Sequence, residues 1–149
     1  MEVLEFLTAI SPIILTIVAT YVVVMQYRLE KKKFKLEHFD NRYKIYKTVM
    51  NYISDMVGNA DTTAEAMLRF KRETNDVEIF FKEDIQDYVE EIYNKANDLR
   101  LCSKLLGQAT LEQSKRTELA EEEAQILKWL GDQFTKCEEM FIKYLKISV

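Results

Sequence analysis

The chain contains a single histidine, His38, the side chain best suited to moving protons near neutral pH. It sits in LEHFDNRY, among charges. Base catalysis needs a partner and a pocket, and nothing around His38 supplies either, so it reads as a surface residue. Carboxylates are the next candidates. Asp84, Asp87 and Glu91 step by 3 and 4 onto one helical face, and Glu118, Glu121, Glu122 and Glu123 form an acidic run. Carboxylate-bridged metal sites in helical bundles pair such residues with an inward-facing ExxH motif, and no ExxH occurs in the chain. Asp84 and Asp87 near a helix start suit the helix macrodipole, and the remaining acids read as a solvated face. Two cysteines (Cys102 and Cys137) and one histidine are too few for a His/Cys zinc site. Three glycines leave no Gly-rich phosphate loop, and nucleophile elbows, kinase motifs and CxxC pairs are absent. The residues predict no catalytic group, no metal and no cofactor, and hence not an enzyme.

The elements that carry these residues are helical. The length of 149 residues fits one domain. Three Gly and one Pro provide too few turn formers for a many-stranded β fold. From Phe6 to Tyr27 the sequence reads FLTAISPIILTIVATYVVVMQY, 22 residues without a charge. About 20 apolar residues cross a hydrocarbon core of about 30 Å, and a lone segment in lipid must be helical to satisfy its own backbone. Pro12 falls within the first turns, where a missing N–H costs least. Tyr21, Gln26 and Tyr27 lie toward the second interface. A cleaved signal peptide fits less well, because the preceding residues carry Glu2 and Glu5 and no base, and the apolar run is too long.

The flanks predict orientation. Residues 1–27 carry two acids, residues 28–47 have a balance of +5, and residues 48–149 a balance of −7. Positive charge stays on the cytoplasmic side, so the N-terminus is expected outside and everything after Arg28 in the cytoplasm. The expected domains are an anchor at 1–27 and a cytoplasmic helical bundle at 28–149, with a basic juxtamembrane collar at 28–47. A reducing cytoplasm leaves Cys102 and Cys137 as free thiols.

After Arg28, Phe39, Tyr43, Tyr46, Met50, Ile53 and Val57 step by 4, 3, 4, 3, 4, an a/d seam. A second set, Ile45, Val49, Tyr52 and Met56, widens the stripe. The first helix is predicted to run from the bilayer into the bundle and stop at Gly58-Asn59. Residues 61–74 read as a short helix capped by Asp61 or Thr62, with Glu65 placed for a capping box. Residues 75–83 read as a loop carrying an apolar patch, Ile79-Phe80-Phe81. A third helix runs from Glu83-Asp84 to Gly107 and a fourth from about Glu112 to Lys146, with Gly131 inside it. The predicted fold class is all-α: a single N-terminal transmembrane helix continuous with a cytoplasmic four-helix-type bundle.

Three sets of residues are expected to make contacts. Thr8, Pro12, Thr16 and Thr20 step by four along one stripe, with Ser11 and Ala19 beside it. Small and hydroxylated residues at that spacing let membrane helices approach and hydrogen-bond, which predicts a homo-oligomer whose stripe would line or seal a pore. The alternative is that the hydroxyls bond back to their own helix. Arg28, Lys31, Lys32, Lys33 and Lys35 are expected to bind anionic membrane lipids, each contributing about 1 kcal/mol. Ile79, Phe80 and Phe81 are a candidate patch for a cytoplasmic protein partner. A nucleic-acid reading of the collar is weaker, since such sites sit on a positive folded surface and this one is juxtamembrane.

The layout, with residues 6–27 as anchor and 28–146 as bundle, resembles small bacterial single-pass membrane effectors of anti-phage systems. One such group, the membrane accessory proteins of type VI CRISPR loci, is similar in having an N-terminal anchor and a HEPN-like bundle assembled into a membrane pore. The RNases of the HEPN group carry Arg, four to six residues, then His. Here the Arg preceding His38 is Arg28, so that motif is missing and no catalytic residue carries over. The pieces HFDNRYKIYKTVMNYI, FFKEDIQDYVEEIYNKA and FTKCEEMFIKYLKI also look like a widespread set of bacterial membrane proteins. The resemblance implies an oligomeric, non-catalytic inner-membrane protein that perturbs the membrane. The alternatives are a membrane-tethered scaffold that docks a protein partner and a degenerate nucleic-acid-binding bundle.

Overall fold

A computed structural model describes the backbone of residues 2–146, and side chains at residue 12 and from residue 14 onward. The chain is all-helical: α1 (Glu2–Asn59), α2 (Ala64–Glu73), the single-turn α3 (Val77–Phe80), α4 (Glu83–Leu106) and α5 (Gln113–Leu145). It divides into two compact units, Met1–His38 and Phe39–Val149. Among the described residues, no helix is long and apolar enough to cross a membrane. The uncharged run predicted to do so starts at Phe6, upstream of the first described side chain.

In the unit Phe39–Val149 a helical bundle forms. Ile45 is the first buried residue among those described. Asp84 at the start of α4 meets Lys143 and Tyr144 at the end of α5, and Ser103 near the end of α4 meets Glu123. The two helices are therefore antiparallel. α4 also packs against α2 and α3. From α1, Tyr52 stacks on Phe70 of α2 with centroids 4.3 Å apart, and Tyr46 lies 5.6 Å from Phe141 of α5. Phe141, Ile53, Ile85, Ile92, Leu99 and Leu130 are among the side chains shut off from solvent. Each such burial contributes about 1.5–3 kcal/mol.

Four local expectations change. The face of α1 turned to the core is the second set, Ile45, Val49, Tyr52 and Met56, all buried. Of the a/d seam only Ile53 is buried; Tyr43 is exposed, and Phe39, Tyr46, Met50 and Val57 are half-buried. Both tracks are apolar with the same spacing, so periodicity alone could not choose between them. α1 begins at Glu2, which puts Pro12 inside the helix rather than in its opening turns. The cap of α2 is Thr63, whose hydroxyl accepts from Ala66 N–H at 3.1 Å. Thr62 is unavailable for that role because its hydroxyl is buried 3.1 Å from the Tyr52 hydroxyl. Residues 75–83 are not all loop, since α3 makes one helical turn there.

The end of α1 also differs in detail. Gly58 lies within the last turn, and a Cβ built there meets nothing within 4 Å. The residue that takes the left-handed conformation is Ala60, at φ 52. An L side chain in that region costs roughly 1–2 kcal/mol.

Candidate functional site

In the unit Met1–His38, the described apolar side chains of α1 from Ile14 onward face outward on every side. From Ile14 to Tyr27 each large apolar residue is 44–66% exposed. A surface helix of a globular protein keeps its apolar residues on one stripe, and folded monomers rarely expose contiguous apolar patches above a few hundred Å². Within this unit, Thr16 donates its hydroxyl to the Pro12 carbonyl at 2.7 Å, and Thr20 to the Thr16 carbonyl at 2.8 Å. These two hydroxyls are thus satisfied by their own helix, and Ala19 beside them is exposed. The side chains of Thr8 and Ser11 lie outside the described residues. Arg28, Lys31, Lys32, Lys33 and Lys35 all stand exposed on the next three turns. His38 is half-buried, its ring 4.8 Å from Phe34.

In the unit Phe39–Val149, one well-connected polar group is a residue the sequence did not single out. Arg42 on α1 donates from Nε to the Phe80 carbonyl at 3.0 Å and from Nη1 to the Tyr144 carbonyl at 3.1 Å. Those are carbonyls in the last turns of α3 and α5, where helices leave acceptors unpaired and the macrodipole is negative. The guanidinium also lies 6.0 Å from the Phe81 and Tyr144 ring centroids. Beside it, Asp84 accepts from Lys143 and from the Tyr144 hydroxyl, both at 2.6 Å. Lys143, and then the Tyr144 hydroxyl, hold the Asp84 carboxyl below its ordinary range. The same Asp84 bond, and then burial, push the Tyr144 phenol up. A charged group this well partnered ties helices together and is not poised to give or take a proton.

Other sequence-marked residues fall elsewhere. Of the apolar patch, only Ile79 is exposed; Phe80 is half-buried, and Phe81 is buried with its ring 5.1 Å from Phe141. The patch is therefore reduced to one residue, because Phe81 belongs to the core. Asp87 is exposed, and Glu91 lies 3.6 Å from Lys136, so the acidic face of α4 is split between solvent and ion pairs. Both cysteines are buried free thiols. Burial pushes Cys137 up to about 12 and raises Cys102 as well. Gln133 is buried, its amide donating to the Trp129 carbonyl at 3.0 Å while Oε1 has no partner among the described residues.

A groove of about 370 Å³ lies between α2 and α4. Lys71, Glu78, Gln86, Glu90, Tyr93 and Asn94 give it a mixed polar lining. Lys71 Nζ lies 5.3 Å above the Tyr93 ring. No known protein family, curated protein or solved structure matches this chain.

Proposed function

We propose that this chain is a single-pass inner-membrane protein with its N-terminus outside and its helical bundle in the cytoplasm. It acts without catalysis, by assembling copies and perturbing the membrane as an effector of anti-phage defence. The observation that carries the membrane part is the apolar surface of α1, exposed on all sides from Ile14 to Tyr27. Lipid covers such a helix uniformly, and the uncharged sequence from Phe6 gives it the length to span. The exposed bases at 28–35 sit where anionic headgroups would meet them. The defence role rests on the resemblance of the layout to single-pass effectors. Expression in a bacterium, followed by carbonate washing of membranes and protease treatment of intact cells, tests the placement. The expected result is a carbonate-resistant protein whose bundle is protected in intact cells; extraction into the supernatant would overturn it. Dye leakage on expression with an invading phage tests the output, and an intact membrane potential under those conditions would count against permeabilisation.

A second reading is a membrane tether whose bundle docks a cytoplasmic protein. The groove between α2 and α4 favours it, since its lining offers both charges and an aromatic ring. A monomer in detergent that retains a protein partner in a pull-down would support the tether.

A further inference from the structure

Pro12 lies in the interior of α1, which begins at Glu2. In an α-helix each N–H donates to the carbonyl four residues back. Proline has no N–H, so the Thr8 carbonyl lacks its backbone donor, and the pyrrolidine ring crowds the same carbonyl. One turn on, the Pro12 carbonyl serves the Thr16 N–H and also accepts the Thr16 hydroxyl at 2.7 Å. One turn further, the Thr16 carbonyl serves the Thr20 N–H and also accepts the Thr20 hydroxyl at 2.8 Å. Successive carbonyls along one line of the helix thus depart from the ordinary ladder, the first without a backbone donor and the next two shared between two donors.

We propose that this line makes Pro12–Thr20 a hinge, about which the first turns of α1 swing relative to residues 21–38. Proline is a leading cause of sharp helix bends. A Thr hydroxyl bonded to the carbonyl four residues back also loosens and bends a helix. Here both act on one side, because residues 8, 12, 16 and 20 fall on one stripe. The loosened bonds open together, and the helix closes toward the opposite side, that of Ile14, Val18 and Tyr21. Those side chains are 55%, 54% and 64% exposed, so no described part of this unit packs there to hold the helix straight. The fault is also confined. Residues 21–38 contain no Pro, Gly, Ser or Thr, so neither cause operates there. A stiff rod therefore follows a weakened stretch.

The hinge goes beyond the membrane reading and does not depend on it, because the ladder is faulted in any surrounding. In lipid the threonines have a further use: they supply donors where water is absent, one of the ways a membrane helix carries a proline. Glu2 to Ser11 form a lever about 15 Å long. A bend of about 20°, the threshold of a sharp kink, displaces its tip by about 5 Å. If copies assemble, that swing changes the spacing of their first turns while residues 21–38 keep their direction.

Backbone N–H residual dipolar couplings of the full-length protein in mild detergent test this. Residues 4–11 and 21–38 are each fitted for a helix direction and a degree of alignment, which motion lowers and direction alone does not. The degree of alignment scales with the square root of the order parameter S², so a fall in S² from about 0.85 to about 0.6 leaves about 0.8 of it. The expected result is that residues 4–11 keep helical carbon shifts and align at about 0.8 or less of the degree found over 21–38. The triple variant Pro12→Ala/Thr16→Val/Thr20→Val should bring both segments to one direction and one degree of alignment. One shared direction and degree in the unsubstituted chain would overturn the hinge. So would two directions with equal degrees, which describe a fixed bend, or loss of helical shifts at 4–11, which describes fraying. Low alignment that the triple variant fails to restore would place the motion elsewhere and refute the role of this line. Carbonate washing of native membranes is read separately. Extraction rejects the membrane reading and leaves the hinge standing. A carbonate-resistant chain whose two segments align alike rejects the hinge and leaves the membrane reading standing.

Discussion

Replacing Arg42 by methionine should unlatch one end of the bundle. Methionine keeps an apolar stem of similar length and deletes both hydrogen bonds, to the Phe80 and Tyr144 carbonyls at 3.0 and 3.1 Å. Hydrogen bonds from a charged donor contribute about 1.5–3 kcal/mol each. The site is half-buried, so the released carbonyls regain some water, and the expected loss is about 2–3 kcal/mol rather than the full sum. For a chain of this size that corresponds to a fall in Tm of roughly 4–12 °C. The assay is urea unfolding of the full-length protein in mild detergent, followed by fluorescence. The chain has one tryptophan, Trp129 on α5, half-buried against the core, so the signal reports the bundle alone. Arg42→Lys keeps the charge but reaches one carbonyl at a time, and should recover about half the loss. A loss below about 0.5 kcal/mol for Arg42→Met, the level of an ordinary surface change, would refute the reasoning.

The remaining predictions use the same readout. Exchanging Gly58→Ala with Ala60→Gly should raise stability by about 1 kcal/mol, since it puts glycine at the left-handed position and a helix former in the last turn; no gain in urea midpoint would reject that account of the helix end. Asp84→Asn should cost about 1 kcal/mol at neutral pH after allowing for solvent screening. The contribution of Asp84 is present above the ordinary carboxylate value of 3.8 and lost as pH falls through its lowered native value, so wild type and variant should converge in acid. Cys102 and Cys137 should resist thiol reagents until urea unfolds the bundle. With Cys137 pushed up to about 12, the stabilisation from its neutral thiol is full below the ordinary thiol value of 9.0 and declines as pH rises from there toward 12. Ile79→Ser should change stability by less than about 0.5 kcal/mol, whereas Phe81→Ala should cost about 3–5 kcal/mol; similar losses at both would contradict the split of that patch between surface and core.

Much of the fold is legible in the sequence because helices declare themselves locally. The apolar spacing along 85–106 and 119–145, with Gly107 after the first, places α4 and α5 within a residue or two of their observed ends. What periodicity does not say is which of two equally spaced tracks meets the core, and α1 uses the shorter one, Ile45 to Met56. The cap of α2 is missed for a similar reason: the local sequence offers Asp61 or Thr62, but Tyr52, ten residues before Thr62, claims that hydroxyl and Thr63 caps instead. Phe81 looks like surface in the local run Ile79-Phe80-Phe81, and its burial follows from Phe141, which no window around residue 80 contains. Arg42 is hidden most completely. It sits among the bases of the collar, and nothing nearby separates it from Arg28 or Lys35. The exposed apolar stretch of α1 and its bases, by contrast, lie where composition alone put them.

The Arg42 latch also bears on how long the folded state lasts. Arg42 and Tyr144 are 102 residues apart in the chain, and Arg42 and Phe80 are 38 apart. Contacts that close such long loops form only after the intervening helices are in place, so they come late on the folding route. An interaction absent from the transition state leaves the refolding rate nearly unchanged when it is removed and appears almost wholly as faster unfolding. Arg42 therefore governs the lifetime of the assembled bundle rather than its ability to form, and a variant lacking it should fold on schedule yet come apart sooner.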